Sequence, residues 1–283
     1  MQKLEVKQYL DILELQEEPP SFAYLSKLVQ AHVYRFPFEN IGKLLNNHNQ
    51  SFGRRAIPTL SEFVSQFNDY QFGGTCYVLN TVLKQLLKEL GFTCYNIHLG
   101  DEHLALIVHL NGETLFVDCG VAAPIFEPVR IEKEDTHIFT YHAETIIIKR
   151  LDDTTFEFAR YIKGNLTEDC WSFTPYKPTS KAFINKMLLQ SHKLTATYMS
   201  ELRCQLWKPD KNMRIRNNQL RVYYPDGTTE KHEFKTVDEI EHCIHNEFGF
   251  TKLPVKQAVR ILNELGVDIF EKKQAVIKSV EKS

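Results

Sequence analysis

Phe72-Gly73-Gly74-Thr75-Cys76-Tyr77 is the stretch around which the rest of the chain can be read. Two adjacent glycines permit a tight turn through positive backbone angles that other residues resist. Thr75 is suited to cap a helix, and Leu79, Val82, Leu83, Leu86, Leu87 and Leu90 recur behind it at helical spacing. Gly91 stands where such a helix stops. Cys76 thereby takes the first helical position, where unpaired N–H groups and the positive end of the helix dipole favour a thiolate. A thiolate so placed is a nucleophile for acyl groups. The competing reading is a small buried residue at a turn–helix junction.

Upstream, the pattern is helical. Tyr9, Leu10, Ile12, Leu13 and Leu15 predict a first helix, ended before Pro19-Pro20. Ser21 starts a second, carrying Leu25, Leu28, Val29, His32 and Val33. Arg35-Phe36-Pro37-Phe38-Glu39-Asn40-Ile41 reads as an aromatic-rich turn, and Pro58-Thr59-Leu60-Ser61-Glu62-Phe63 opens a third helix. Residues 46–55, polar and containing Gly53, are expected to be a mobile loop.

Downstream of Gly91 the period changes from helical to alternating. Residues 93–99, 103–110 and 114–118 read as strands, and Asn111-Gly112 joins the last two as a two-residue hairpin turn. With that turn Leu110 faces Glu113, and counting back puts Ala105 opposite Asp118. His103 then shares a face with Asp118, one diagonal step away, within reach of long side chains. A thiol, an imidazole and an orienting carboxylate are the three groups needed for acyl transfer through a covalent thioester. The alternative is a polar pair on a solvated hairpin face. His109 shares the face but lies farther from Asp118, and the hairpin does not place His98.

Residues 136–149 and 154–162 predict further strands, residues 180–189 a helix, and residues 237–248 and 255–265 closing helices. Around Asn217-Asn218 a second hairpin is expected, and Asp226-Gly227 makes the next turn. Glu241, His242, Cys243 and His245 have metal-ligand character but lack a matching second pair, so no metal site is expected. Trp171 and Trp207 are read as packing residues. Lys208, Lys211, Arg214, Arg216 and Arg221 form either a solvated face or a surface for the phosphates of a nucleotide-containing cofactor.

The global properties exclude more than they identify. The 283 residues carry 34 basic and 36 acidic side chains, a formal charge of −2, which gives no electrostatic case for nucleic acid or an anionic membrane. No apolar run is long enough to span a bilayer, and residues 1–7 lack the apolar core of a signal peptide. Six dispersed cysteines without a C-x-x-C pair suit reduced thiols in a cytoplasm.

Taken together, Pro37-Phe38-Glu39-Asn40, then Gly73-Gly74-x-Cys76-x-x-x-Asn80, then His103-x-x-Leu106, then Val117-Asp118-x-Gly120 resemble the arylamine N-acetyltransferase family in order and spacing. The resemblance is densest over residues 1–130. It implies an α+β fold with a papain-like Cys-His-Asp core: a helical bundle over residues 1–90, a β-barrel with an interdomain helix over 91–195, and an α/β lid over 196–283. It implies a triad of Cys76, His103 and Asp118. It further implies acetyl-CoA as the acyl donor, approached by the loop containing Gly120, and a small aromatic amine, hydrazine or N-hydroxyarylamine as acceptor, with Phe38 at its binding site. No metal, nucleic acid or membrane enters that chemistry, and the resemblance leaves the oligomeric state open.

The chain departs from the family pattern in a coordinated way. Phe72 stands where the family has Arg, Val78 where it has Glu, Ile12 where it has Arg in the first helix, and Ala122 near a usual second Gly. Glu39 is thereby expected to lack its cation. Three rivals fit the same residues: an amide synthase using a carrier-bound thioester, a cysteine hydrolase, and a homologue that binds a ligand or partner with little turnover.

Overall fold

The computed structural model describes residues 3–48 and 56–271. Its first third is helical: α1 (Leu4–Leu13), α2 (Phe22–Arg35), α3 (Ile41–His48), α4 (Leu60–Tyr70) and α5 (Cys76–Glu89), with a two-residue strand β1 (Phe38–Glu39) between α2 and α3. Two of the starts are capped by side chains. Ser21 accepts the Tyr24 N–H at 3.1 Å ahead of α2, and Thr59 and Glu62 close a reciprocal capping box on α4. Thr75 occupies the N-cap of α5, but its side chain makes no capping bond, contrary to expectation. Of the loop expected over 46–55, residues 46–48 belong to the last turn of α3, and 49–55 lie outside the described residues.

Two four-stranded antiparallel sheets follow. The first is β2 (Thr93–Leu99), β3 (His103–Leu110), β4 (Glu113–Val117) and β5 (Val129–Arg130). The second is β6 (Thr136–Tyr141), β7 (Glu144–Arg150), β8 (Phe156–Ile162) and β9 (Asn165–Phe173). The strand read over 136–149 is therefore a hairpin, broken where His142 adopts φ 55°. The strand β9 escaped the reading because its Asn165, Thr167, Glu168 and Asp169 give no apolar alternation. Where the resemblance implied a barrel, the two sheets keep separate hydrogen-bonding ladders, and among the described residues they do not close.

The hairpin register is as counted, with Leu110 opposite Glu113 and Leu106 opposite Val117. The strand β3 is buried on both faces. Leu106, Val108 and Leu110 join the core beneath the helices, whereas Ala105 and Ile107 join a second core with Phe116, Ile146, Phe156 and Phe158 of the two sheets. That removes the solvated-face reading of the hairpin.

The last third supplies α6 (Lys181–Ser191), then β10 (Arg203–Trp207), β11 (Asn212–Arg216), β12 (Gln219–Tyr223) and β13 (Thr229–Glu233), then α7 (Val237–Cys243) and α8 (Val255–Glu264). The expected helix over 237–248 is present throughout, α-helical to Cys243 and π-helical over Ile244–Phe248, and is ended by Gly249 at φ 84°. The five-stranded sheet β1-β10-β11-β12-β13 draws Phe38 and Glu39 against Gln205 and Cys204. The helices α1–α5 share one apolar core with β10–β12, α7 and α8. Among the described residues no helix is long and apolar enough to cross a membrane.

Candidate active site

Cys76 opens α5 and is 6% exposed, walled by Tyr77, Leu104 and, from α6, Ile184, Met187 and Leu188. The turn before it is dictated by crowding. A Cβ on Gly73 would lie 1.9 Å from the Pro37 carbonyl oxygen, and Gly74 sits at φ 144° with Val78 packed beneath it. Tyr77 donates its hydroxyl to the Glu102 carbonyl at 2.8 Å, which ties the start of α5 to the turn before His103.

His103 and Asp118 meet as the register requires. His103 Nε2 and Asp118 Oδ2 are 2.6 Å apart, both side chains buried. The other Asp118 oxygen accepts from Asn80 Nδ2 at 2.9 Å and from the backbone N–H groups of Gly120 at 2.9 Å and Val121 at 3.0 Å. A carboxylate so saturated has one orientation left. Asn80, one helical turn beyond Cys76, also donates to the Leu104 carbonyl and accepts the Cys119 N–H at 2.9 Å.

Burial works against a charged His103, but the charges of Asp118 and Cys76, together with hydrogen bonds to both, raise it to about 10. With Nε2 taken by Asp118, Nδ1 is the nitrogen left for the sulfur. Trp171 on β9 stacks on the imidazole, ring centroids 5.1 Å apart and planes 5° from parallel. The indole read as a packing residue is thus a wall of the site, and no sequence signal links positions 103 and 171.

Other candidates fall elsewhere. His109 Nε2 meets the Tyr95 hydroxyl at 3.2 Å, and His98 Nδ1 meets Thr179 Oγ1 at 2.9 Å. Phe38 packs its ring on Tyr198, centroids 5.4 Å apart. Gly120 lies directly against Cys76, so that a Cβ there would come within 2.5 Å of its Cα. Among the described residues no group of three or more His, Cys, Asp or Glu could hold a metal.

The altered positions are apolar in fact as well as in type. Phe72 is buried and stacks on Tyr70 at 5.1 Å, and Ile12 packs on the core. Glu39 is 1% exposed and its carboxylate is met by backbone alone, through Gly42 N–H at 2.8 Å and Gly73 N–H at 3.2 Å. Burial lifts its pKa to about 7 against those N–H groups. A cleft of about 630 Å³ runs beside this turn, lined among others by Lys43, Ile57, Phe72, Gly74, Val78 and Leu188.

The loop after Asp118 is anchored by Arg160, which donates to the Ala122 carbonyl at 3.1 Å while its guanidinium also binds Glu144 and Asp169, each at 2.7 Å. Ala122 adopts φ 55°, so the loop keeps a left-handed residue without glycine. The basic run is largely neutralised within the fold: Arg214 pairs with Glu144 at 2.6 Å, Arg216 with Glu201 at 2.7 Å, and Lys211 with Glu247 at 3.7 Å. Arg160, Arg203 and Arg214 nonetheless line an open hollow of about 620 Å³, and the buried Arg203 Nε has no hydrogen-bond partner among the described residues.

Comparison with known proteins gives a consistent picture. Residues 21–257 match the sequence profile of an N-acetyltransferase family. A search of curated protein sequences gives no match. Similar solved structures include an arylamine N-acetyltransferase of Mycobacterium smegmatis (22% identity, TM-score 0.74, 92% of this chain and 100% of that one). The arylamine N-acetyltransferase of Salmonella typhimurium superposes with TM-score 0.75 at 16% identity over 93% of this chain and 100% of its own. One from Bacillus cereus, with a Cys-His-Glu catalytic triad, reaches 0.70 at 16% identity over 88% of this chain and 99% of its own.

Proposed function

The chain belongs to the arylamine N-acetyltransferase family, a family of acyltransferases, and from that premise we propose that it moves an acetyl group from acetyl-CoA to an arylamine, arylhydrazine or N-hydroxyarylamine through a thioester on Cys76. The observation that supports this most is the buried His103–Asp118 pair at 2.6 Å, with the first residue of α5 as the sulfur it serves.

The proposed steps follow from these groups. Cys76 sulfur attacks the donor carbonyl, and the tetrahedral oxyanion is met by backbone N–H groups at the start of α5. As the carbon–sulfur bond to the donor breaks, His103 gives its proton to the departing thiolate. The acceptor nitrogen then attacks the thioester, His103 takes the nitrogen's proton, and Cys76 leaves as thiolate paired with imidazolium. Asp118 holds the imidazole in one tautomer and orientation throughout. The hollow of Arg160, Arg203 and Arg214, which Glu168 and Asp169 also line, is the place we assign to the donor's phosphates. The six cysteines are all unpaired, which suits action in a reducing cytoplasm.

Intact mass after brief exposure to acetyl-CoA tests the reading, with Cys76→Ala as control. One added acetyl group on the parent alone, discharged by an arylamine such as aminosalicylate, is expected. No acetylation with fast iodoacetamide labelling of Cys76 points to another acyl donor; no acetylation with a sluggish thiol overturns turnover altogether.

A further inference from the structure

One charged group in the cleft beside the Gly73-Gly74 turn, which Thr75 and Val78 line on either side of Cys76, has no part in the steps above. Lys43 lies on α3, half-buried, its ammonium 5.9 Å from the centroid of the Tyr198 ring and near enough to Cys76 to feel its charge. Among the described residues lining the cleft it is the only lysine or arginine, and no described carboxylate lies within ion-pair distance of it. Of the acids on the cleft wall, Glu39 gives both oxygens to backbone N–H groups, Glu62 closes the cap of α4 and Asp69 is exposed; Tyr70 and His192 are the other titratable groups there. Burial without a counter-ion is costly, and it lowers Lys43 to about 8.

We propose that Lys43 is an anion subsite of this cleft, taking a carboxylate carried by one of the reactants, either the acceptor amine or the transferred acyl group. This rests on acyl transfer through Cys76. The surroundings suit a flat monoanion better than a phosphate. A single ammonium faces apolar and aromatic walls from Ile57, Phe72, Val78, Leu188 and Tyr198, whereas a phosphate calls for several donors at once. The incoming carboxylate replaces the missing counter-ion, and the rings cover its aromatic plane.

The test compares reactants that differ only in that charge. In one arm, kcat/KM for 4-aminobenzoate is divided by that for 4-aminobenzamide, with acetyl-CoA as donor. In the other, succinyl-CoA is divided by acetyl-CoA with the amide as acceptor. Such ratios do not depend on the fraction of protein that is folded and active. In at least one arm the parent is expected to favour the carboxylate by about tenfold or more. Lys43→Met should abolish that preference, and Lys43→Arg should retain part of it. The arm that responds identifies which reactant carries the carboxylate. Ratios equal in parent and Lys43→Met in both arms overturn the subsite, while Cys76 acylation by mass stands or falls separately. Absence of acylation in the parent overturns both readings.

Discussion

The carboxylate of Glu39 lies beneath Gly73, accepting its N–H at 3.2 Å, with the Gly42 N–H on the other oxygen at 2.8 Å. A buried acid thus holds the turn that leads into Cys76, and no cation faces it among the described residues. With apolar Phe72 and Val78 beside this turn, the support rests on hydrogen bonds to backbone, as the expected lack of a cation for Glu39 implies.

That arrangement makes Glu39 a titrating element of stability. Its ordinary value of 4.5 is raised to about 7 by burial. Between these values the unfolded chain is ionised while the folded one keeps its proton. Stability therefore falls as pH rises across that window, by at most about 1.4 kcal/mol per unit, and levels off above it. Glu39→Gln removes the slope. The difference in unfolding midpoint, variant minus parent, should grow from pH 5 to 7 and then flatten; a constant difference would sink the idea.

Asp118→Asn should keep the fold and lose the chemistry. Without the carboxylate, the strongest influence raising His103 disappears and the ring loses its fixed tautomer. Acyl transfer is expected to drop by about 10³–10⁴-fold. The stabilisation His103 gains from its partners is full below 6.5 and disappears as pH rises through about 10. Thermal scans of the variant should lack that alkaline decline.

Asn80→Ala tests whether the amide is a brace for the triad. Its loss removes the bonds to the Leu104 carbonyl and the Cys119 N–H and frees one side of Asp118. A cost of about 2–4 kcal/mol in urea unfolding is expected, together with slower Cys76 acylation. Unchanged stability would mean that water takes over all three bonds.

Gly120→Ala separates two reasons for glycine after the triad aspartate. The added methyl would meet Cys76 Cα at 2.5 Å and Asn80 Nδ2 at 2.7 Å. Overpacking of about 1–3 kcal/mol and a lower kcat with every donor should follow. A rise confined to the KM for acetyl-CoA would instead assign the glycine to donor approach.

Much of the site was legible because its signals are local. The start of α5 is written in residues 72–91, and the pairing of His103 with Asp118 follows from a two-residue turn and the alternation of strands. The contacts that escaped are those between segments with no shared period. Trp171 comes from β9, polar enough to hide its strand; Arg160 reaches back to Ala122; and β1 pairs with β10 across most of the chain. Thr75 was read as a cap from its type, yet crowding at Gly73 and Gly74, not a hydroxyl bond, shapes the turn.

The sequence by itself determined where the helix of Cys76 begins, which hairpin face carries the imidazole and carboxylate, and which family the motifs resemble. Those are consequences of backbone geometry acting over a few residues. Only the tertiary structure decided that Asn80 braces Asp118, that Trp171 covers His103, that backbone N–H groups meet Glu39 where no described cation does, and that Lys43 lines the cleft without a carboxylate partner among the described residues. Burial and long-range packing set those relations, because the cost of an unpaired buried group is fixed by everything that surrounds it and not by its neighbours in the chain.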